Sequence, residues 1–303
     1  MGVLVAGEAL VDVITGQDGT TRTIAGGGPY TMARTIGRLG VPVTFTGRLS
    51  DDEHGQAMAR QLAVDGVEVA LPPARGVPTT RAIAQLNAAG EARYRFLLDG
   101  TSAAQVTESD VAELLRGQDH QALAVGTLGL VLSPLRSAVS SLVAGAGHDV
   151  IVFLDVNARP SAITDDTGYR ALLWQIMARA DVVKASRDDL AYLYPDVDPV
   201  LAAGGIVDQG PKVLLLTDGS GPVRVIRRDG SRLDLVAVPV PAVEVVDTVG
   251  AGDAFGGAFL ASWIARGLGR EQLSDIDAVV GTVKSAIDVA QIGRAHAELQ
   301  SRL

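Results

Sequence analysis

The feature that most constrains the fold is a regular alternation of short β-branched runs with amphipathic helical segments. The predicted strands cover residues 3–6, 43–46, 123–126, 150–155, 181–183 and 213–217. Examples of the intervening predicted helices are residues 29–39, 53–64, 134–144 and 168–178. Alternation of this kind predicts a parallel sheet that is covered by helices on both faces. We therefore expect an α/β protein built as a three-layer α/β/α sandwich.

Two segments interrupt this alternation. Residues 11–24 and 79–98 show strand-like patterning without an intervening helix, and Asn87 to Gly90 has the composition of a hairpin loop. Such segments predict a small antiparallel sheet at one edge of the sandwich, where a lid over a site would lie. We find no linker or repeat, so we expect a single domain over residues 1–303, with helices from 250 to 267 and from 274 onward.

Composition excludes several classes of protein. Hydrophobic residues make up 47% of the 303 residues and charged residues 20%, which excludes a disordered chain. The 26 basic and 35 acidic side chains give a net charge of -9, so we expect no nucleic-acid partner. The absence of cysteine excludes disulfides and thiolate chemistry. With no apolar run of membrane-spanning length and no basic leader before the first strand, we expect a soluble, cytoplasmic protein with no membrane partner.

The most informative stretch runs from Asp247 to Phe259 and contains the sequence Gly250-Ala251-Gly252-Asp253. Its glycines permit a tight turn before a predicted helix, which leaves the first helical amides free to bind an anion. An aspartate beside such a site would repel the anion, but it suits a base that deprotonates an attacking hydroxyl. The alternative is that Asp253 is an ordinary acidic residue at a helix N-terminus and that the glycines serve packing.

Two common nucleotide-binding motifs are excluded by the residues at this turn. A Rossmann fingerprint requires glycine three residues after Gly252, where this chain has Phe255. A P-loop requires a Gly-Lys pair, and the chain contains none.

The stretch closely resembles the C-terminal signature of the PfkB, or ribokinase-like, carbohydrate kinases, and other segments agree over nearly the whole chain. Residues 7–12 are similar to the family's first strand, and residues 26–29, with the end of the following helix, are similar to its N-terminal signature. Residues 155–160 match the Asp-x-Asn-x-Arg-Pro of fructokinase-like members, and residues 217–221 resemble the nucleotide-contacting loop.

The resemblance implies a ribokinase-like sandwich with a small β-sheet lid, which transfers the γ-phosphoryl group of ATP to a primary hydroxyl of a small sugar. It implies that Asp253 is the base and that the turn of Gly250, Ala251 and Gly252 forms the anion hole. The residues implied to bind the sugar are Asp12, Gly27, Gly28, Thr31, Arg95, Asn157 and Arg159. Those implied to contact the nucleotide are Lys184, Thr217, Gly219 and Gly221.

The resemblance also implies Mg²⁺, with Asp189 in its outer shell, and a monovalent cation such as K⁺ near Asp247 and Thr248. Each of three side chains has a plainer interpretation from sequence alone. Asp12 is then a solvated turn residue, Lys184 an exposed lysine, and Asp189 an acid at a helix N-terminus.

The chain departs from the family pattern at two places. Thr31 stands where an asparagine usually contacts the sugar, and the Asn-x-x-Glu motif becomes Ser186 to Asp189. These changes keep two alternatives open, namely a non-catalytic sugar or nucleotide sensor and a nucleoside kinase. Fructose is the first expected substrate and 2-keto-3-deoxygluconate the second. A homodimer through the lid is the expected assembly.

Overall fold

A computed structural model describes residues 2–16, 20–86, 92–114, 120–241 and 250–301 of the chain, and the following account concerns those residues. A large sheet of nine strands forms the centre. Its strands, in spatial order, are β13 (Arg232–Val238), β12 (Val223–Asp229), β11 (Val213–Thr217), β10 (Val182–Ser186), β9 (Ile151–Asp155), β8 (His120–Gly126), β1 (Gly2–Ala6), β4 (Val43–Thr46) and β5 (Val67–Val69).

The strands from β11 to β5 are parallel, whereas β12 and β13 add an antiparallel edge. Every residue of β1 and of β9 is buried, as expected of strands that are covered on both faces. Side chains alternate between two apolar clusters, with Val3 and Val5 in one and Leu4 and Ala6 in the other. The period of two shows that the sheet separates the core into two layers.

Helices cover both faces of this sheet. They are α1 (Gly28–Arg38), α2 (Glu53–Val64), α3 (Glu108–Ala112), α4 (Leu135–Gly145), α5 (Asp166–Arg179), α6 (Arg187–Leu193), α7 (Pro199–Val207), α8 (Ala251–Ala265) and α9 (Ile276–Ser301). The cluster of Val3 and Val5 packs under α1, α2, α8 and α9, and the cluster of Leu4 and Ala6 packs under α3 to α7. The predicted three-layer α/β/α sandwich is confirmed.

A second sheet of four strands is separate from the first, as predicted. Its order is β3 (Thr21–Gly26), β2 (Leu10–Thr15), β6 (Arg81–Leu86) and β7 (Ala92–Leu97). The two hairpins β2–β3 and β6–β7 are antiparallel, but β2 and β6 pair in parallel, so the expectation of a wholly antiparallel sheet is wrong. A long crossover, rather than a tight turn, joins the two hairpins, and it permits the parallel pairing.

Three features of the fold differ from the sequence-based expectation or lie beyond it. Strand β10 continues through Lys184 to Ser186, although the charged side chain suggested an end at residue 183. Strands β5 and β12 were not predicted. The predicted hairpin loop at Asn87 to Gly90 lies outside the described residues, and the single-domain boundary and lid motion stay predictions.

None of the described helices combines the length and apolar character that crossing a bilayer requires.

Candidate active site

The predicted site residues gather where the parallel strands end. The C-terminal ends of β1, β8, β9, β10 and β11 lie along one edge of the large sheet. The N-terminus of α8 lies against this edge, because its Asp253 contacts Asn157, just beyond β9. Ligands of open α/β sheets bind at this edge.

The glycine turn forms the geometry that an anion site requires. Gly250 adopts a left-handed conformation, with φ of 75°, and α8 begins at the next residue without a side-chain cap. The amide of Ala254 is the first to bond back, to the carbonyl of Gly250 at 2.8 Å. Among the described residues, the amides of Ala251, Gly252 and Asp253 have no acceptor. Within the described part of the chain, these three amides have the arrangement that an anion site requires.

Asp253 points from this turn toward the end of β9. The Nδ2 atom of Asn157 donates a hydrogen bond to its Oδ1 atom at 3.1 Å, and Asn157 itself has a positive φ of 33°. Burial raises the pKa of Asp253, while the positive charges of Lys184 and Arg159 oppose that rise. The guanidinium of Arg159 is anchored nearby, since its Nη1 donates to the carbonyl of Asn157 at 3.3 Å.

Lys184 lies beneath the turn as a buried cation rather than an exposed lysine. Its Nζ atom contacts both carboxylate oxygens of Asp155 at 2.8 Å, and both side chains are almost fully buried. A Cβ atom added to Gly252 would lie 3.3 Å from Nζ, so the ammonium is close to the anion site. Burial works to lower the pKa of Lys184, but Asp155 and Asp253 outweigh it and the pKa is raised.

A buried carboxylate joins the loops near the predicted sugar-binding residues. Glu8, just after β1, accepts hydrogen bonds from the amides of Gly28 and Gly129, at 3.3 and 3.1 Å, and from the hydroxyl of Thr127. Burial raises the pKa of Glu8 to about 7, although the bond from Thr127 works against the rise. Thr127 has a positive φ of 53°. One side chain therefore connects the start of α1 to the end of β8.

The glycines at the start of α1 lack side chains, and this leaves room for neighbouring groups of the site. Gly27 has a φ of 102°, and a Cβ atom on Gly28 would lie 3.1 Å from the Oδ1 atom of Asp253. A Cβ on Gly26 would lie 2.4 Å from a carboxylate oxygen of Asp12. Thr31, one turn into α1, approaches Gly250, since its Cγ2 atom lies 3.5 Å from where a Cβ of Gly250 would be.

The small sheet separates two of the predicted sugar-binding residues. Strand register aligns Asp12 with Ala82, and Ala82 with Phe96, so these three lie on one face. Arg95 is exposed and is aligned with Ile83, and alternation places it on the opposite face. A sugar role for Arg95 stays a prediction, and Phe96 is a residue of β7 that shares the face of Asp12.

Asp189 is engaged in a helix cap. Its Oδ2 atom accepts hydrogen bonds from the amide and hydroxyl of Ser186, and the amide of Asp189 donates to that hydroxyl in return. The Oδ1 atom accepts from the amide of Ala158 at 2.7 Å. The plainer interpretation of a helix N-terminal acid therefore describes its contacts, and its role beside a metal stays a prediction.

Of the residues predicted to contact the nucleotide, Lys184 lies in β10, and the other three lie at the end of β11 and in the turn that follows it. Thr217 ends this strand, and its hydroxyl donates to the carbonyl of Ala185 at 3.4 Å. Gly219 has a φ of 56°, and the amide of Gly221 closes the turn onto the carbonyl of Asp218 at 2.6 Å. Asp247 and Thr248, the predicted cation ligands, lie outside the described residues.

Sequence reasoning missed three residues of the site, namely Glu8, Thr127 and Asp155. Glu8 and Asp155 stood within quoted motifs, and an acid in an otherwise apolar strand end was the available signal. Thr127 had no sequence signal, because its position depends on the turn after β8.

Comparison with known proteins agrees with this geometry. Residues 2–283 match the family described as pfkB family carbohydrate kinase. A fructokinase of Rhizobium leguminosarum bv. trifolii is 32% identical over 265 residues, which cover 86% of this chain and 79% of that protein. A fructokinase of Klebsiella pneumoniae is 30% identical over 88% of this chain and 85% of its own. The solved structure of a Xylella fastidiosa fructokinase with bound ATP has a TM-score of 0.84 and 25% identity, covering 95% of this chain and 90% of that one.

The chain belongs to the pfkB family of carbohydrate kinases. It is a carbohydrate kinase with the ribokinase-like fold.

Proposed function

We propose that this protein is a fructokinase, which transfers the γ-phosphoryl group of ATP to a primary hydroxyl of fructose. The observation that carries the proposal is the placement of the Asp253 carboxylate beside three helix amides without acceptors in the described structure. The relatives named fructokinase support the choice of sugar.

The reaction requires one proton transfer and one exchange of phosphorus–oxygen bonds. Asp253 takes the hydroxyl proton as the sugar oxygen bonds to the γ-phosphorus. The bond from the γ-phosphorus to the β–γ bridging oxygen breaks, and ADP leaves with that electron pair. The amides of Ala251, Gly252 and Asp253 stabilise the charge on the oxygens of the migrating phosphoryl group.

The remaining residues place the two substrates. Asp12, with Gly27 and Gly28 of the loop before α1, would bind and orient the sugar hydroxyls. Asn157 holds Asp253, and the charge of Arg159 opposes its protonation. Thr31 presents a hydroxyl in place of a longer amide, so the sugar would contact α1 through a shorter group.

The nucleotide would lie on the opposite side of the turn at Gly250 to Gly252. Thr217, Gly219 and Gly221 would line the cleft for ATP, and Lys184 would lie below its phosphates. Gly219 is exposed, and no described atom lies within 4 Å of where its Cβ would be, so the space beside this turn is open.

Mg²⁺ is the metal that we propose to accompany ATP. The residues fit an outer-shell role, because the Oδ1 atom of Asp189 accepts only one hydrogen bond within the described structure and can accept another from a metal-bound water. No group of three acidic or histidine side chains in the described ranges forms an inner-sphere site. Mg²⁺ would neutralise phosphate charge, with its ligands coming mainly from ATP and water.

Three further proposals follow from the family resemblance. K⁺ would bind near Asp247 and Thr248 and support the turn at Gly250. The small sheet would pair with that of a second copy to form a homodimer. The protein would act in the cytoplasm, where ATP is available.

A coupled assay for ADP release tests the proposed function. The panel contains fructose, glucose, 2-keto-3-deoxygluconate and a purine nucleoside, each with Mg-ATP, with and without K⁺. We expect the highest kcat/KM with fructose. A higher kcat/KM with the nucleoside would identify a nucleoside kinase, and ATP binding without turnover of any compound would identify a sensor. Either result would overturn the proposal.

A further inference from the structure

The buried ion pair between Asp155 and Lys184 lies beneath the phosphoryl-transfer site, and the roles above do not include Asp155. Both oxygens of Asp155 contact Lys184 Nζ at 2.8 Å, and the two residues are 2% and 4% exposed. Asp155 ends β9 and Lys184 lies in β10 directly opposite it. Removing two charges from water is costly, and apolar pairs often replace such ion pairs without loss of stability.

The geometry of Lys184 gives the pair a use beyond packing. An ammonium has three N–H donors, and Asp155 engages two of them. Lys184 has no further acceptor among the residues that the structure describes. The position that a Cβ of Gly252 would take is 3.3 Å from Nζ, so the ammonium adjoins the amides that would hold the phosphoryl group.

The Asp155–Lys184 ion pair also affects the charges around Asp253. Among the described residues, the charged groups that interact electrostatically with Asp253 are Glu8, Asp155, Arg159 and Lys184, and Asn157 faces it as a hydrogen-bond donor. The positive charge of Lys184 acts to lower the pKa of Asp253. Burial is the main cause that raises the pKa of Asp155, and the negative charge of Asp253 adds to that rise. The negative charge of Asp155 offsets part of the positive charge of Lys184. Asp155 therefore limits how far Lys184 lowers the pKa of Asp253.

We propose that Asp155 is a positioning residue for phosphoryl transfer, which holds the Lys184 ammonium against Gly252, where its third N–H faces the transferring phosphoryl group and its charge acts on the neighbouring Asp253. This inference rests on the proposed function and deepens it. Lys184 contacts the reacting group, and Asp155 acts through Lys184.

Asp181 provides a matched control for Asp155. It is also a buried acid between β9 and β10, but it lies at the opposite end of these strands. It pairs with Arg270 at 2.6 Å and with Arg179 at 3.3 Å, and its Oδ2 accepts from the amide of Val152. Asp181→Asn therefore disturbs the ion pairs of a buried acid at the opposite end of the same strands, although its arginine partners are partly exposed.

The test compares Asp155→Asn, Lys184→Met and Asp181→Asn with the wild type in pH profiles of kcat/KM for fructose. Lys184→Met removes the cation that faces the carboxylates of Asp155 and Asp253. The pKa of Asp253 should rise, so the acidic limb of the kcat/KM profile should move up by about one pH unit. Asp155→Asn leaves the lysine charge uncompensated, so the limb should move down by a similar amount. Asp181→Asn should leave the limb in place.

The plateau rate and the binding of a non-hydrolysable ATP analogue provide independent readouts. We expect kcat to fall by about 10- to 100-fold in Asp155→Asn, because the ammonium loses its fixed position, while KM for fructose changes less. Calorimetric titration with the analogue, which keeps the γ-phosphoryl group, should show weaker binding in Lys184→Met, on the order of tenfold. Asp181→Asn should lower Tm without changing the affinity for the analogue.

The double variant Asp155→Asn/Lys184→Met guards against loss of folding, because it leaves no unpaired buried charge. We expect it to fold, to have an acidic limb near that of the wild type and to keep a reduced kcat. Limbs that move in the same direction in both single variants, or Asp155→Asn kinetics that match Asp181→Asn, would overturn the inference. A wild type that phosphorylates no sugar would overturn the proposed function instead.

Discussion

Asn157 donates a hydrogen bond to Asp253 at 3.1 Å, across 96 residues of sequence. The bond joins the end of β9 to the N-terminus of α8, so the strand edge and the anion turn meet at the carboxylate proposed as the base. Asn157 has a positive φ of 33°, a conformation that asparagine tolerates better than most residues.

Replacing Asp253 by asparagine should remove the base and preserve the fold. The new side chain keeps an oxygen that can accept the bond from Asn157. We expect kcat to fall by about 10²-fold or more, with Tm and ATP affinity near those of the wild type. Steady-state kinetics and thermal unfolding measure these effects. Turnover within a few-fold of the wild type would remove Asp253 from the base role.

Adding a side chain at Gly252 should block the anion site. In Gly252→Val the Cβ would lie 3.3 Å from Lys184 Nζ, and its methyl groups would occupy the space over the helix amides. We expect kcat to fall by about 10²-fold. Gly205→Val is the control, since Gly205 lies in α7 with no atom within 4 Å of an added Cβ, and it should retain activity. An active Gly252→Val would place the phosphoryl group elsewhere.

Neutralising Glu8 should change how stability depends on pH. The pKa of Glu8 is raised to about 7 in the folded protein from 4.5, so the folded state binds the proton more tightly. This contribution to stability is complete below pH 4.5 and is lost as pH rises toward 7. Relative to Glu8→Gln, the wild type should lose on the order of 2 kcal/mol of unfolding free energy between pH 5 and 7. Urea unfolding at several pH values measures the difference.

The same variant also tests the geometry around Glu8. A glutamine cannot accept from both the Gly28 and Gly129 amides, because one end of its amide is a donor. We therefore expect a higher KM for fructose in Glu8→Gln. Glu108→Gln, at an exposed acid that binds Ser141, is the control and should match the wild type in both measurements. Equal pH slopes in wild type and Glu8→Gln would contradict the prediction.

Removing Asp189 should affect both stability and metal dependence. Asp189→Ala loses a capping box at α6, which costs about 1 kcal/mol, and releases the amide of Ala158 next to Asn157. We expect a lower kcat and a higher Mg²⁺ concentration for half-maximal rate. Asp110→Ala removes the capping box of α3 and should reduce stability alone. Identical Mg²⁺ dependence in the two variants would assign Asp189 a structural role only.

Local patterns were sufficient to predict the sandwich, because strand and helix periodicities depend on near neighbours in sequence. The predicted strand at 213–217 and the helix at 53–64 coincide with β11 and α2. The parallel pairing of β2 with β6 was not predictable in this way, since it depends on how a long crossover returns to the sheet. Residue type and spacing alone also identified the turn at Gly250 to Asp253.

The amino-acid sequence by itself determined the layered fold, the glycine turn and the family to which the chain belongs. Tertiary structure decided which charges meet. The plainer interpretation of the sequence makes Lys184 an exposed lysine. In the fold it is a buried cation, because the register between β9 and β10 places Asp155 opposite it. Glu8 likewise becomes a junction between loops only when β1 and β8 lie side by side. Interactions of this kind depend on distances between strands, and no local pattern in the chain encodes them.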